Sequence, residues 1–180
     1  MLIRGENQTS NIKAVNLSYL NKFRKISEKL EPKLMSEFQM EINTGCRLDS
    51  VVLTIRKKNW YNSIVNDEKK NSSIFFSVWI EDKSLIGNQI FYNIHALKLR
   101  HLNGYIIESR KFAEAFRDKF MKYKDQWPNV SISYGPQTLM QGRIEINTDS
   151  FEADIIALII RFLEIEFIID DLLEERKSIL

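Results

Sequence analysis

The C-terminal segment of the chain carries two separate apolar stripes at helical spacing, and no other feature constrains the fold as strongly. Thr148, Asp149 and Ser150 supply capping groups, so the spacing predicts a helix from residue 151 to about residue 177. The first stripe consists of Phe151, Ile155, Leu158, Phe162, Ile165, Ile169 and Leu172. The second stripe, on another side of the helix, consists of Ile156, Ile160, Leu163 and Phe167. A helix that is apolar on two sides needs two partners to cover it.

One partner of this helix is expected to be the chain's own sheet, and the other is open to two interpretations. Burying the four side chains of the second stripe contributes on the order of 6–12 kcal/mol of transfer free energy. The second stripe could be buried by the predicted helix at residues 10–30 or by the C-terminal helix of a second copy of the chain. Because two-fold association is the commonest closed solution for a self-complementary patch, we expect a homodimer.

The terminal helix is not predicted to cross a membrane, and the chain shows no secretory signal. Arg161, Glu164 and Glu166 interrupt the apolar run that a membrane span requires. The single Cys46 cannot form a disulfide within the chain, and the first residues lack the apolar core of a signal peptide. Together these features predict a protein of the reducing cytoplasm.

In the rest of the chain, some segments space their apolar residues as a helix does and others as a strand does. Helical spacing predicts an N-terminal helix at residues 10–30, ended by Pro32, and a middle helix beginning near Ser109. Alternation predicts a hairpin of residues 34–42 and 51–56 around a turn at 43–45, and an exposed polar loop at 62–73. Further strands are expected at residues 74–81 and 90–99, and a strand pair is expected around residues 135–137.

These elements predict one α+β domain that spans residues 1–180. With only 6 Gly and 3 Pro, the chain has no linker-like run at which to divide it. Because the elements do not alternate as parallel βαβ units, we expect an antiparallel or mixed sheet of about six strands. An N-terminal helix, a middle helix and the long C-terminal helix should pack on this sheet.

The segment at residues 92–105 concentrates both histidines and several basic residues. His95 shares one strand face with Phe91, Leu97 and Leu99, so we expect a half-buried histidine that has a hydrogen-bond partner. The candidate anion-binding residues, at the exit of this strand and the start of the middle helix, are Lys98, Arg100, His101, Arg110 and Lys111. Nucleic-acid binding through them is an alternative that the net charge of only +2 does not favour.

Catalytic motifs are absent from the sequence, and neither a metal site nor a cofactor site is predicted. Carboxylates near predicted strand ends, Glu81, Asp82 and Glu145, leave a metal-dependent hydrolase as a further alternative, although none has the acid-x-lysine spacing that such nucleases use. The scarcity of catalytic groups favours a protein without enzymatic activity. We therefore predict a non-catalytic binding or regulatory protein that self-associates through its C-terminal helix.

Overall fold

The computed structural model describes residues 4–47, 49–62 and 71–178. For residues 4–16 and 82 it describes the backbone only. The chain forms a five-stranded antiparallel sheet in which each strand pairs with the next along the sequence, in the order β1-β2-β3-β4-β5. The strands are β1 (Met40–Arg47), β2 (Ser50–Lys57), β3 (Ser73–Glu81), β4 (Gln89–Leu97) and β5 (Thr138–Glu145). The helices are α1 (Arg4–Phe38), α2 (Asp82–Ile86), α3 (Ser109–Phe120), α4 (Phe151–Ile165) and α5 (Phe167–Glu174).

The architecture confirms the predicted α+β class, and the helices pack on one face of the sheet. Alternate residues of each strand, such as Val51, Leu53 and Ile55 on β2, are fully buried toward this helical layer. In its middle, Phe76 of β3 stacks on Phe162 of α4 with ring centroids 4.7 Å apart. The opposite face of the sheet has no second layer of described helices, and its side chains range from buried, as at Ser77 and Asn93, to exposed, as at Asn43 and Arg143.

The predicted strand count was wrong, because the sheet has five strands rather than six. Residues 130–134, predicted as a strand, make only an isolated bridge between Ser131 and Gln141. The guanidinium of Arg117 on α3 donates hydrogen bonds to the backbone carbonyls of Tyr134, Gly135, Thr138 and Leu139. These four hydrogen bonds hold the turn between residue 134 and the start of β5 against α3.

The first helix is longer than predicted, and the first hairpin is shifted along the chain. Helix α1 continues through Pro32 to Phe38, and residues 43–45 lie inside β1 instead of forming a turn. The apolar residues after Pro32 fit both the spacing of a strand and the spacing of a helix. At helical spacing, Leu34 follows Phe23 and Ile26 and is buried with them. The free energy gained by burying Leu34 as part of α1 therefore outweighs the cost of the backbone hydrogen bond that Pro32 removes.

The predicted long C-terminal helix is confirmed, with a one-residue interruption at Glu166 that divides it into α4 and α5. Glu166 keeps helical backbone angles (φ −59°, ψ −33°), and α5 continues directly after α4. The first predicted stripe is confirmed in full, because all seven of its residues are buried. The predicted polar loop at residues 62–73 falls largely on residues 63–70, outside the described residues.

Gly142 of β5 is fixed by the ring of Tyr92 on the neighbouring strand. A Cβ atom at this position would lie 2.2 Å from the Tyr92 hydroxyl oxygen and 2.3 Å from the ring carbon that bears it. Tyr92 cannot easily move, because it is fully buried and its hydroxyl donates a 2.5 Å hydrogen bond to the carbonyl of Pro128. Glycine is therefore required at position 142 because the side chain of Tyr92 occupies the space that a Cβ atom would need.

We expect Gly142→Ala to lower the free energy of unfolding by about 2–3 kcal/mol, the upper range for overpacking in a core. The control is Gly45→Ala in β1, where an added Cβ meets nothing within 4 Å. Urea denaturation of both variants checks the prediction. Equal effects of the two substitutions would contradict the account of the Tyr92 contact.

Candidate functional site

The residues of the predicted basic segment lie at the surface, in the turn after β4 and on the first turn of α3. Lys98 and Arg100 are exposed in the turn after β4, and His101, half-buried, is in contact with the Nε of Arg100 at 3.3 Å. Arg110 is exposed on the first turn of α3, while the Lys111 ammonium is paired with Glu108 at 2.8 Å. These side chains remain candidates for anion binding, and none of them lines the pockets described below.

The second apolar stripe of the terminal helices faces away from the sheet. Ile160 is 50% exposed and Phe167 is 42% exposed, while Ile156 and Leu163 are half-buried at the edge of the core. Helix α1 contacts the start of α4, where Tyr19 and Phe23 lie against Phe151.

The open face of the sheet presents its side chains in rows that follow the strand register. One row, running across all five strands, consists of Gly45, Val52, Trp79, Phe91 and Arg143. The next row consists of Asn43, Thr54, Ser77, Asn93 and Gln141. A third row includes the cross-strand pairs Glu41–Arg56 and Phe75–His95. The face therefore combines aromatic rings, amides and arginines.

A chain of hydrogen bonds fixes the centre of the open face. The Ser77 hydroxyl donates to the Asn93 side-chain oxygen at 2.5 Å, and the Asn93 amide donates to His95 Nε2 at 2.8 Å. The other ring nitrogen, Nδ1, then carries the proton and donates to the Gln137 carbonyl at 3.2 Å. Burial lowers the pKa of His95, with the Gln137 carbonyl opposing that shift in part. His95 is thus the half-buried, hydrogen-bonded strand histidine that the sequence predicted.

Beside this chain, an arginine is held in place at the rim of a pocket. The guanidinium carbon of Arg56 lies 3.6 Å from the centroid of the Tyr61 ring, and its Nε lies 3.7 Å from a Glu41 carboxylate oxygen. The Tyr61 hydroxyl donates to the same carboxylate at 3.2 Å. The pocket has a volume of about 470 Å³, and its lining includes Arg47, Thr54, Arg56, Tyr61 and Phe75.

A second cluster of charges joins the end of β2 to the junction of α4 and α5. The Lys57 ammonium contacts carboxylate oxygens of Glu166 and Asp170, both at 2.5 Å, and the Trp60 indole N–H donates to Asp170 at 2.8 Å. Lys57 and Glu166 are each 14% exposed and Asp170 is 35% exposed. The cluster lines a groove of about 610 Å³ that also includes Met35 and Phe38 from the end of α1.

The pKa shifts in this cluster arise because the Lys57 ammonium is shared by two carboxylates, those of Glu166 and Asp170. Burial lowers the pKa of Lys57, but the hydrogen bonds and charges of Asp170 and Glu166 together raise it above its ordinary value. Burial raises the pKa of Glu166, and Lys57 lowers it only in part because the neighbouring Asp170 raises it again. We interpret the cluster as the anchor that holds the α4–α5 junction to the sheet.

The carboxylates that suggested hydrolase chemistry are not brought together as a metal site. Glu81 caps α2, its side chain accepting the backbone N–H of Ser84, and Glu145 is exposed at the end of β5. The side chain of Asp82 lies outside the described residues. Within the described ranges, no group of three or more His, Cys, Asp and Glu side chains could hold a metal ion. Cys46 on β1 and His95 on β4 are about 14 Å apart across the strands and a further five residues, about 16 Å, apart along them.

Comparison of the chain with protein-family models, curated proteins and solved structures finds no match. Of the helices in the described part of the chain, none has the length and apolar composition needed to cross a bilayer. What the fold defines is a class, an α+β domain whose antiparallel sheet is covered by helices on one face. Its function must be inferred from the surfaces described above.

Proposed function

We propose that the protein is a non-catalytic binding or regulatory protein that self-associates through the outer stripe, defined as Ile156, Ile160, Leu163 and Phe167. The observation that supports this most is the exposure of Ile160 (50%) and Phe167 (42%) on helices whose opposite side is fully buried. The stripe is continuous along one side of α4 and the start of α5. An apolar strip of this kind on a helix is typical of a contact surface.

The occupant that we propose for the outer stripe is the same stripe of a second copy. The helix can pair with its symmetry mate so that each apolar side chain meets another apolar side chain. Tyr123, in the segment after α3, contacts Phe167 with ring centroids 6.3 Å apart and extends the apolar surface beside it. Two-fold pairing would remove both exposed side chains from water in each copy.

The charges beside the outer stripe predict how self-association responds to salt. Glu164 lies four residues after Ile160 and Asp171 lies four residues after Phe167, and both are exposed next to the stripe. Pairing of two stripes brings these acidic residues of both copies toward each other. Since salt screens like charges over about 10 Å at 0.1 M, self-association should strengthen as ionic strength rises.

We expect Ile160→Glu with Phe167→Glu to convert the dimer to a monomer, because the pair places buried charges in an apolar contact. The fold should be retained, because both side chains are exposed in the single chain. Sedimentation velocity measures the mass and circular dichroism measures the fold. The matched control is Ile86→Glu with Ile106→Glu, which alters residues that are 89% and 76% exposed outside the outer stripe.

Two outcomes would overturn this proposal. If the outer-stripe variant keeps the mass of the wild type, the contact lies elsewhere. If the variant unfolds while the control stays folded, the stripe belongs to the domain's own core.

Binding of nucleic acid through Lys98, Arg100, His101, Arg110 and Lys111 is the second candidate function, supported by the exposure of Lys98, Arg100 and Arg110. It predicts an affinity that falls steeply with salt and falls when these residues are replaced.

A further inference from the structure

The line of apolar side chains that forms the outer stripe continues beyond Phe167 into acidic residues. The steps from Ile156 to Phe167 alternate between four and three residues, and the next two steps of this series reach Asp170 and Glu174. Glu166 keeps helical backbone angles, so α5 carries the same side of the helix onward from α4. Asp170, about one helical turn after Phe167, is therefore the first charged residue on this line.

Asp170 also belongs to the junction cluster, defined as Lys57, Glu166 and Asp170, which holds more acid than base. The single ammonium of Lys57 contacts the carboxylates of Glu166 and Asp170, both at 2.5 Å. When both carboxylates are ionised, the cluster carries one negative charge more than it has positive charge. Because Lys57 and Glu166 are each only 14% exposed, solvent and salt screen this excess charge less than they screen a surface charge.

The groups that face the junction cluster from neighbouring elements leave this excess negative charge in place. Lys58, directly after β2, and Glu37, at the end of α1, line the same groove and carry opposite charges. Glu37 also lies 3.9 Å from Lys33 on α1. The Trp60 indole N–H donates to Asp170 and adds no charge. The groove of about 610 Å³ opens the cluster to water, which can deliver a proton to it.

A single proton on the junction cluster balances its charges. Burial raises the pKa of Glu166, and Lys57 lowers it only in part because Asp170 raises it again. Glu166 therefore takes up its proton at a higher pH than an exposed glutamate, whose pKa is about 4.3. The cluster can thus change its charge without loss of the Lys57–Asp170 ion pair.

Pairing of two outer stripes favours the protonated form of the junction cluster further. Asp170 lies at the end of the apolar line and is 35% exposed, so a second copy that covers the stripe also covers part of Asp170. In a parallel pairing, the two junction clusters meet each other. In an antiparallel pairing, each cluster meets the first turn of α4, which is acidic at Glu152 and Asp154. Loss of water and the approach of like charge both disfavour an ionised carboxylate.

We propose that self-association through the outer stripe is controlled by pH, because the junction cluster of each copy takes up a proton as the two chains pair. The inference rests on the proposed self-association and adds its regulation. The pKa of Glu166 is higher in the dimer than in the single chain, so pairing is favoured at low pH and weakens as the pH rises through the dimer's value. A fall in pH thus assembles the protein, and a rise in pH releases it.

The test is sedimentation equilibrium of the full chain over a range of pH at one fixed ionic strength. We expect the dissociation constant of the dimer to fall about tenfold or more between about pH 7.5 and about pH 5.5, since each proton taken up changes the equilibrium by at most tenfold per pH unit. Ionic strength is held constant because salt alone weakens the repulsion between the acidic residues. Circular dichroism at each pH checks that the chain stays folded.

The variants locate the proton. Glu166→Gln places a neutral amide where the protonated carboxyl would be, so at neutral pH it should pair about as tightly as the wild type does at the acidic end of the range. It should also lose most of the pH dependence. The matched control is Glu164→Gln, which neutralises an exposed acid beside the outer stripe but outside the junction cluster, and which should keep the pH dependence of the wild type. If Glu166→Gln does not fold, Asp170→Asn neutralises the other carboxylate and gives the same test.

The possible failures can be told apart. A dimer whose affinity is the same at both ends of the pH range, or that weakens as the pH falls, would overturn the inference and leave the proposed self-association standing. Wild-type pH dependence in folded Glu166→Gln or Asp170→Asn would also overturn it, because the proton would then be taken up elsewhere. A wild-type protein that is monomeric at every pH and concentration would overturn the proposed self-association, and this inference with it.

Discussion

Replacing Phe162 by alanine is expected to lower the free energy of unfolding by about 3–5 kcal/mol, the cost of truncating a large aromatic residue in a packed core. Phe162 is fully buried in α4 and stacks on Phe76 of β3 with ring centroids 4.7 Å apart. It also meets the edge of the Trp60 ring at 6.1 Å. The substitution therefore removes contacts to the sheet and to the segment after β2 together, at the centre of the helical layer.

The control for this prediction is Phe167→Ala, which alters the same residue type at the start of α5. Phe167 is 42% exposed and belongs to the outer stripe, so its truncation should change the stability of the single chain by less than about 1 kcal/mol. Urea denaturation at low protein concentration measures both variants. Comparable losses for the two would contradict the division of the terminal helices into a buried stripe and an outer stripe.

Replacing Lys57 by methionine is expected to lower the free energy of unfolding by about 2–3 kcal/mol at neutral pH. Removing the ammonium leaves Glu166 and Asp170 without their counter-charge, and breaking a fully buried pair in this way costs about 3–5 kcal/mol. The expected loss is smaller because Asp170 keeps 35% exposure. The control is Lys29→Met, whose partner Glu152 is 53% exposed and whose loss should have little effect.

The loss caused by Lys57→Met should depend on pH. Burial raises the pKa of Glu166 above that of the unfolded chain, so the folded state binds its proton more readily than the unfolded state does. Stability associated with that proton is present at low pH and is lost as the pH rises through the raised pKa. In the variant no ammonium lowers this pKa, so the deficit relative to wild type should shrink toward about pH 4.5, where carboxylates take up protons. A deficit that is the same at pH 7 and at acidic pH would contradict this account.

Sequence periodicity predicted the helical layer better than it predicted the boundaries of strands. The buried stripe of the terminal helix repeats without interruption, and a long repeat of this kind has few alternative interpretations. The segment after Pro32 fitted two periods at once, and only the burial of Leu34 by the folded sheet decides between them. The strand expected at residues 130–134 makes only the bridge from Ser131 to Gln141, and the hydrogen bonds that Arg117 of α3 makes to the turn after it are not revealed by any local pattern.

The candidate surfaces were predictable to different degrees. The outer stripe can be identified from spacing, because Ile160 and Phe167 lie on the side of the helix opposite the first stripe. The pocket of about 470 Å³ on the open face depends instead on register, which places Arg56 opposite Glu41. The predicted hairpin was out of register in β1, so this pairing could not be predicted from the sequence. The alternation of apolar and polar residues in β2 did indicate that Thr54 and Arg56 share one face.

The mass of the wild-type protein across a range of concentrations tests the central proposal most directly. Sedimentation equilibrium should show a species with the mass of two 21.3 kDa chains. This dimer should dissociate on dilution, and added salt should strengthen the association of its two chains. The variant with Ile160→Glu and Phe167→Glu should sediment as a single folded chain under the same conditions. A wild-type protein that remains a 21.3 kDa monomer at every concentration and salt level would contradict self-association through the outer stripe.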